Sequence, residues 1–215
     1  MTAHMSQITT EDIRFSALPA TPLKDAAGII SQLLPKQGCI EVQHDQPGKE
    51  HAWHTHPTDE TLVIRELAVF REAGGQSILE MTPIGLSRNP QALRRISEAS
   101  GVHIVEGISF YQENTYPEWV HTATMIEIAD FFVRQIEEGD EGVCAGFLGE
   151  ITSHNEDDPN PRKYTLHEDE GRVFQAAAQA QQRTGVAIST HASMGRGGHA
   201  QLDLLEDNGA DLSRV

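Results

Sequence analysis

The sequence predicts an α/β protein, and three observations carry that prediction. From about residue 65 onward, apolar runs of strand length alternate four times with stretches of helical periodicity. Several of the helical stretches stop at glycine, the residue that most easily adopts the left-handed backbone of a helix end. Before residue 65, Pro and Gly instead punctuate short extended runs, in LPATPLKD, LLPKQG and HDQPGKE. The chain therefore reads as two segments, a β-rich one over 1–64 and a β/α one over 65–215. Strand–helix alternation implies parallel strands joined by right-handed crossovers. Four such strands make part of a (β/α)8 barrel, a smaller open sheet, or a barrel completed by something else.

The elements follow in order. GCIEVQ and ETLVI have the look of short strands. RELAVFREAGG (Arg65 to Gly75) is helical, with Leu67, Val69 and Phe70 apolar and Gly74 and Gly75 as the stop. SILEMTP (77–83) is the first strand of the β/α segment. NPQALRRISEASG is a helix with Asn89 as N-cap, Pro90 at its first position, Gly101 as its end, and Leu93 and Ile96 on its buried side. VHIVEGISFY (102–111) is the second strand. Residues 118–138 form one long helix, with Met125, Ile128, Ala129, Phe132 and Ile136 at helical spacing. CAGFLGEIT (144–152) is the third strand, and SHNEDDPNPRKYT is a polar loop. A helix over 168–184 stops at Gly185, VAISTH (186–191) is the fourth strand, and a last helix covers 198–208.

Composition narrows the function. The formal net charge of -16 argues against a nucleic-acid surface, because phosphate binding needs clustered Lys and Arg. The same charge and 11 histidines make metal cations the more natural partners. Cys39 and Cys144 are far apart with no CxxC pattern, so buried free thiols are expected rather than a disulfide or a Cys-rich zinc site. No apolar run approaches a membrane span, and the N-terminus lacks a signal-peptide pattern, so a cytoplasmic protein without membrane partners is expected.

In a β/α barrel the reactive side chains sit where strands end and loops converge. That rule selects Glu80, Tyr111, Glu150 and His191. Glu150 interrupts an otherwise apolar strand, so its carboxylate needs a cationic partner or a metal. Glu150 and His191 together could share a divalent cation, since imidazole nitrogen and carboxylate oxygen both suit zinc. Tyr111 reads as a packed aromatic or a substrate contact. Glu80 faces the site or pairs with an arginine such as Arg88. His103, His121, His154, His167 and His199 read as structural or exposed. In GKEHAWHTHPTDE, His54 and His56 form a His-x-His pair, and period-2 spacing would point both to one face of a strand.

Two resemblances sharpen these expectations. RELAVFREAGGQSILEMTPIGLSRNPQALRRISEASGVHIVEGISFY, AGFLGEITS and FQAAAQAQQRTGVAISTHASMGRGGHAQLDLLEDNGADLSRV resemble the phosphotriesterase family of metal-dependent hydrolases. That resemblance implies a (β/α)8 barrel holding divalent metal, usually zinc, with manganese or cobalt as alternatives. It further implies a metal-activated water that attacks a small phosphoester, lactone or related ester. By the same resemblance Glu150 takes the place of the bridging carboxylate, His191 that of the fifth-strand histidine, and Tyr111 that of an aromatic beside the metals. The family's sixth-strand His and eighth-strand Asp have no counterpart in this chain, and HTHP stands closer to the first helix than the family's His-x-His. With His54 and His56 standing in for that pair, the ligand set is His54, His56, Glu150 and His191.

Gly48 to Glu60 resembles instead the first motif of cupins, which implies a metal held by His54, His56 and Glu60. A non-catalytic truncated homologue is the third alternative. A partial barrel with exposed strand edges implies a homodimer.

Overall fold

In the computed structural model, the described residues are 60–154 and 164–215, and they form a β/α repeat. The elements are α1 (Glu60–Glu72), β1 (Ser77–Glu80), α2 (Pro90–Ser100), β2 (His103–Ile108), α3 (Glu118–Thr122), α4 (Met125–Glu137), β3 (Phe147–Ser153), α5 (Glu168–Thr184), β4 (Ile188–Ala192) and α6 (Gly198–Asp207). Three short 3-10 turns supplement them, at Glu113–Thr115, Ser193–Gly195 and Leu212–Arg214. The four strands form one parallel sheet in the order β1-β2-β3-β4. This is a half-barrel arrangement of the kind the alternating pattern predicts.

Local chemistry explains the element boundaries. The Asn89 side chain accepts from the Ala92 N–H at 3.0 Å, Pro90 occupies the first helical turn, and Gly101 closes α2 at φ 69°. Gly185 ends α5 the same way, at φ 74°. The single helix expected over 118–138 is instead two. Thr124 breaks it by forming a capping box with Glu127: the Glu127 carboxylate accepts from the Thr124 N–H at 2.8 Å, and the Thr124 hydroxyl accepts from the Glu127 N–H. A periodicity search reads through such a cap because the apolar spacing continues across it.

ETLVI, expected as a strand, is the first part of α1. Glu60 stands in the first turn, where a negative charge is favoured, and Arg71 in the last. Leu67 packs with Ile96 and Val102, and Val63, Ile64, Ile78 and Ile104 close around them. Val69 and Phe70, the other apolar residues noted in this helix, are exposed.

The larger core lies between the sheet and α4, α5 and α6. Ile108, Leu148, Ile151 and Ile188 of the strands, with Phe110 just past the end of β2, cluster with Ile128, Phe132, Val173, Phe174 and Leu205 of the helices. Phe110, Phe132 and Phe174 are wholly buried, each contributing ~2–3 kcal/mol of transfer free energy. The alanines of α5 (Ala176, Ala177, Ala178 and Ala180) are fully buried, and their small size lets α5 lie close to its neighbours. Gly107 has a steric reason as well: a Cβ there would stand 2.3 Å from the Gly149 carbonyl oxygen. Cys144, expected to be buried, is a free thiol at the surface.

Candidate metal centre

Strand alternation decides which side chains leave the core and face the opposite side of the sheet. Leu148 and Ile151 both pack toward the helices, although three residues apart. The pairing of β3 with β4 shifts register between these two positions. That irregularity inserts an extra residue and turns Glu150 away from the helices. Beyond it the ladder is regular, pairing Ile151 with Thr190 and Thr152 with His191. His191 therefore emerges on the same side as Glu150. Their side chains meet, with His191 Nδ1 3.4 Å from Glu150 Oε2.

That separation can be compared with metal geometry. Two ligands at ~2.1 Å from one ion in a tetrahedral shell stand ~3.4 Å apart. The pair thus fits two corners of such a shell, and both side chains keep partial solvent access. Among the described residues, no third His, Cys, Asp or Glu comes within 4.8 Å of both. His54 and His56 lie outside the described residues.

Tyr111 follows Phe110, which points into the core, so the tyrosine turns to the site side. Its ring centroid lies 5.8 Å from that of His191. Burial pushes the phenol's pKa up, and the Glu150 charge adds to the effect, so Tyr111 stays protonated. Ser109, two residues earlier on the same side, donates from its hydroxyl to the Glu150 carbonyl oxygen and pins the irregular turn of β3. Pattern reading missed Ser109. The signal was there, a small polar residue at strand spacing from Tyr111. Thr152, also missed, is fully buried beside His191 in register.

The remaining candidates fall elsewhere. Glu80 shares a strand face with Ile78, which packs among the helices, and so points away from Glu150. Its carboxylate accepts from the Thr82 N–H at 3.2 Å and from the Thr82 hydroxyl, not from Arg88. Arg88 lies instead 3.0 Å from Glu106, register partner of Glu80, and both are buried. Glu60 opens a helix and forms a surface ion pair with Arg95 at 2.6 Å. A cupin ligand would need that glutamate on a β-strand, so the cupin resemblance finds no support at this position.

Of the histidines read as structural or exposed, His103, His167 and His199 are exposed. His154 pairs with buried Glu170 at 2.7 Å, and His121 with Asp169 at 2.7 Å.

The comparisons with known proteins agree with this architecture. The model of the Phosphotriesterase family matches residues 38–215, a range that takes in the HTHP segment. The chain is 35% identical over 159 residues to an N-acetyltaurine hydrolase of Dictyostelium discoideum, covering 72% of this chain and 40% of that protein. It is 35% identical over 157 residues to the phosphotriesterase homology protein of Escherichia coli (strain K12), covering 72% of this chain and 51% of that one. The crystal structure of the phosphotriesterase homology protein from Escherichia coli, complexed with phosphate in its active site, superposes with a TM-score of 0.68 at 32% identity. That superposition covers 74% of this chain and 53% of the other. The chain thus spans about half the length of the curated relatives it matches. With the parallel half-barrel, the family match over most of the chain and identities above 30% all in agreement, the chain belongs to the phosphotriesterase family.

Proposed function

We propose that this protein is a metal-dependent hydrolase of small molecules, acting on an ester, lactone or phosphoester bond. One observation carries the reading: Glu150 and His191 converge to 3.4 Å on adjoining parallel strands, on the sheet face turned away from the helices. A divalent cation held there, zinc in first place and manganese or cobalt otherwise, lowers the pKa of a bound water and polarises the oxygen of the bond under attack. Glu150 and His191 hold the ion, and His54 and His56 are proposed to complete its shell. Ser109 fixes the backbone from which Glu150 projects. Tyr111, kept protonated, presents a hydroxyl donor and an aromatic wall to the substrate. Two of the similar proteins widen the candidate substrates: an N-acetyltaurine hydrolase adds an N-acyl bond, and a relative with phosphate in its active site favours a tetrahedral oxyanion. The free thiol of Cys144 suits a cytoplasmic location. The two outer strands, β1 and β4, each have one partner among the described residues, which supports pairing of two copies as a homodimer.

The full chain, loaded in turn with zinc, manganese and cobalt, should hydrolyse at least one of paraoxon, a short-chain lactone or N-acetyltaurine. His191→Ala should abolish turnover and lower bound metal, whereas Glu60→Ala should leave both unchanged. Metal content unaffected by His191→Ala, or no turnover by the metal-loaded chain on any of the three, would overturn the reading.

A further inference from the structure

A second cluster of potential ligands lies away from Glu150 and His191. Glu113 and His121 belong to the connection that follows β2, and Asp169 to the first turn of α5. One donor atom from each lies within 4.8 Å of the other two, and all three residues are half-buried. His121 Nδ1 stands 2.7 Å from Asp169 Oδ2, within a few tenths of the ~3 Å edge of an octahedral shell with ~2.1 Å bonds. Arg172 contacts the other oxygen of Asp169, so Oδ2 is the one turned toward the histidine.

An independent observation points to a missing partner. The Tyr116 hydroxyl is buried, the residue being only 7% exposed, and it has no hydrogen-bond partner among the described residues. Its ring lies beside His121, with centroids 5.9 Å apart. Burial pushes this phenol's pKa up, and the charges of Glu170, Asp169 and Glu113 reinforce the effect in that order. Asp169 pairs with Arg172 and His121, and the fully buried Glu170 with His154, which leaves the Glu113 carboxylate with no ion-pair partner among the described residues. Uncompensated charge in such a setting is costly, and a dication would balance it.

We propose that Glu113, His121 and Asp169 bind a divalent cation at a site distinct from the Glu150–His191 centre. One imidazole with two carboxylates suits Zn²⁺ or Mn²⁺. A water on the ion would satisfy the Tyr116 hydroxyl, as small buried gaps lined by polar groups commonly require. The ion would tie the connection after β2 to α5. Glu170 of α5 already joins these two parts by accepting from the Glu113 N–H at 3.3 Å. Glu113 is two residues from Tyr111, so the cation would order one wall of the hydrolytic site without touching substrate.

The test uses the full chain carrying His191→Ala, so that the first centre is disabled. Zn²⁺ and Mn²⁺ are titrated calorimetrically, and bound metal is counted by native mass spectrometry. His121→Ala, and separately Glu113→Gln, added to that background should each weaken binding ~10-fold or more and remove one ion per chain. With Co²⁺ as probe, the visible absorption of the His191→Ala protein should lose the part assigned to imidazole coordination when His121 is also replaced. Far-UV circular dichroism verifies folding, and Glu113→Gln, isosteric and half-exposed, guards against misfolding of the histidine variant. Unchanged affinity and ion count in the folded variants would overturn the proposal. Failure of the hydrolase reading shows separately, as a metal content that His191→Ala alone does not alter.

Discussion

Glu106 is a carboxyl group buried beside Arg88. It is 4% exposed on the helix-facing side of β2, and burial raises its pKa to about 7 despite the attraction of Arg88. A carboxyl whose pKa is higher folded than unfolded binds its proton more tightly in the native state. The stabilisation is present below the ordinary value of 4.5 and is lost as pH rises through about 7. Wild-type stability should therefore decline across that window, by ~2 kcal/mol from this group. Glu106→Gln removes the titration, so the variant should gain on the wild type between pH 5 and pH 8 in urea denaturation. A stability difference that stays constant over that range would show that Glu106 does not titrate there. Ser109 makes a different kind of contribution, through the backbone of Glu150. Ser109→Ala should weaken zinc binding ~10-fold while leaving the far-UV spectrum intact, because the carboxylate would then project from a looser turn.

Among the elements, the break between α3 and α4 gives a quantitative test. The reciprocal bonds of Thr124 and Glu127 set the start of α4, which carries Ile128, Ala129, Phe132 and Val133 into the core. Thr124→Ala should cost ~1 kcal/mol, read as a lower urea midpoint with an unchanged slope. The register shift in β3 matters more for function. Without it, strict alternation from Leu148 would put Glu150 on the same side as Leu148, toward the helices, and away from His191. A glutamate in GFLGEIT was visible as out of place in an apolar run, but the face it would occupy was not. An irregularity of pairing depends on the neighbouring strand and leaves no period in the sequence.

Among the described residues the sheet keeps two outer strands, and Leu79 on β1 is 57% exposed. Exposed apolar residues on an unpaired strand edge favour association with another chain. Sedimentation velocity on the 215-residue chain should show a dimer or larger species at micromolar concentration; a monomer across that range would count against the homodimer. No helix among the described residues is long and apolar enough to cross a membrane.

Much of the repeat was legible from residue order because its cues are local. Asn89 and Pro90 open α2, Gly101 and Gly185 close α2 and α5, and strand-length apolar runs separate them. Each cue acts within one or two turns of chain, so neighbouring residues suffice to read it. The strand-end rule picked out Glu80, Tyr111, Glu150 and His191, and the resemblance assigned roles to Glu150, His191 and Tyr111. Tertiary structure alone decided that Glu150 and His191 stand 3.4 Å apart, that Glu80 faces the helices, and that Glu60 opens a surface helix and pairs with Arg95. The same holds for His121 and Asp169, 48 positions apart and yet in contact. The physical reason is that bond geometry and side-chain period act over a few residues, whereas the meeting of donors on different strands depends on register and packing, which only the folded sheet specifies.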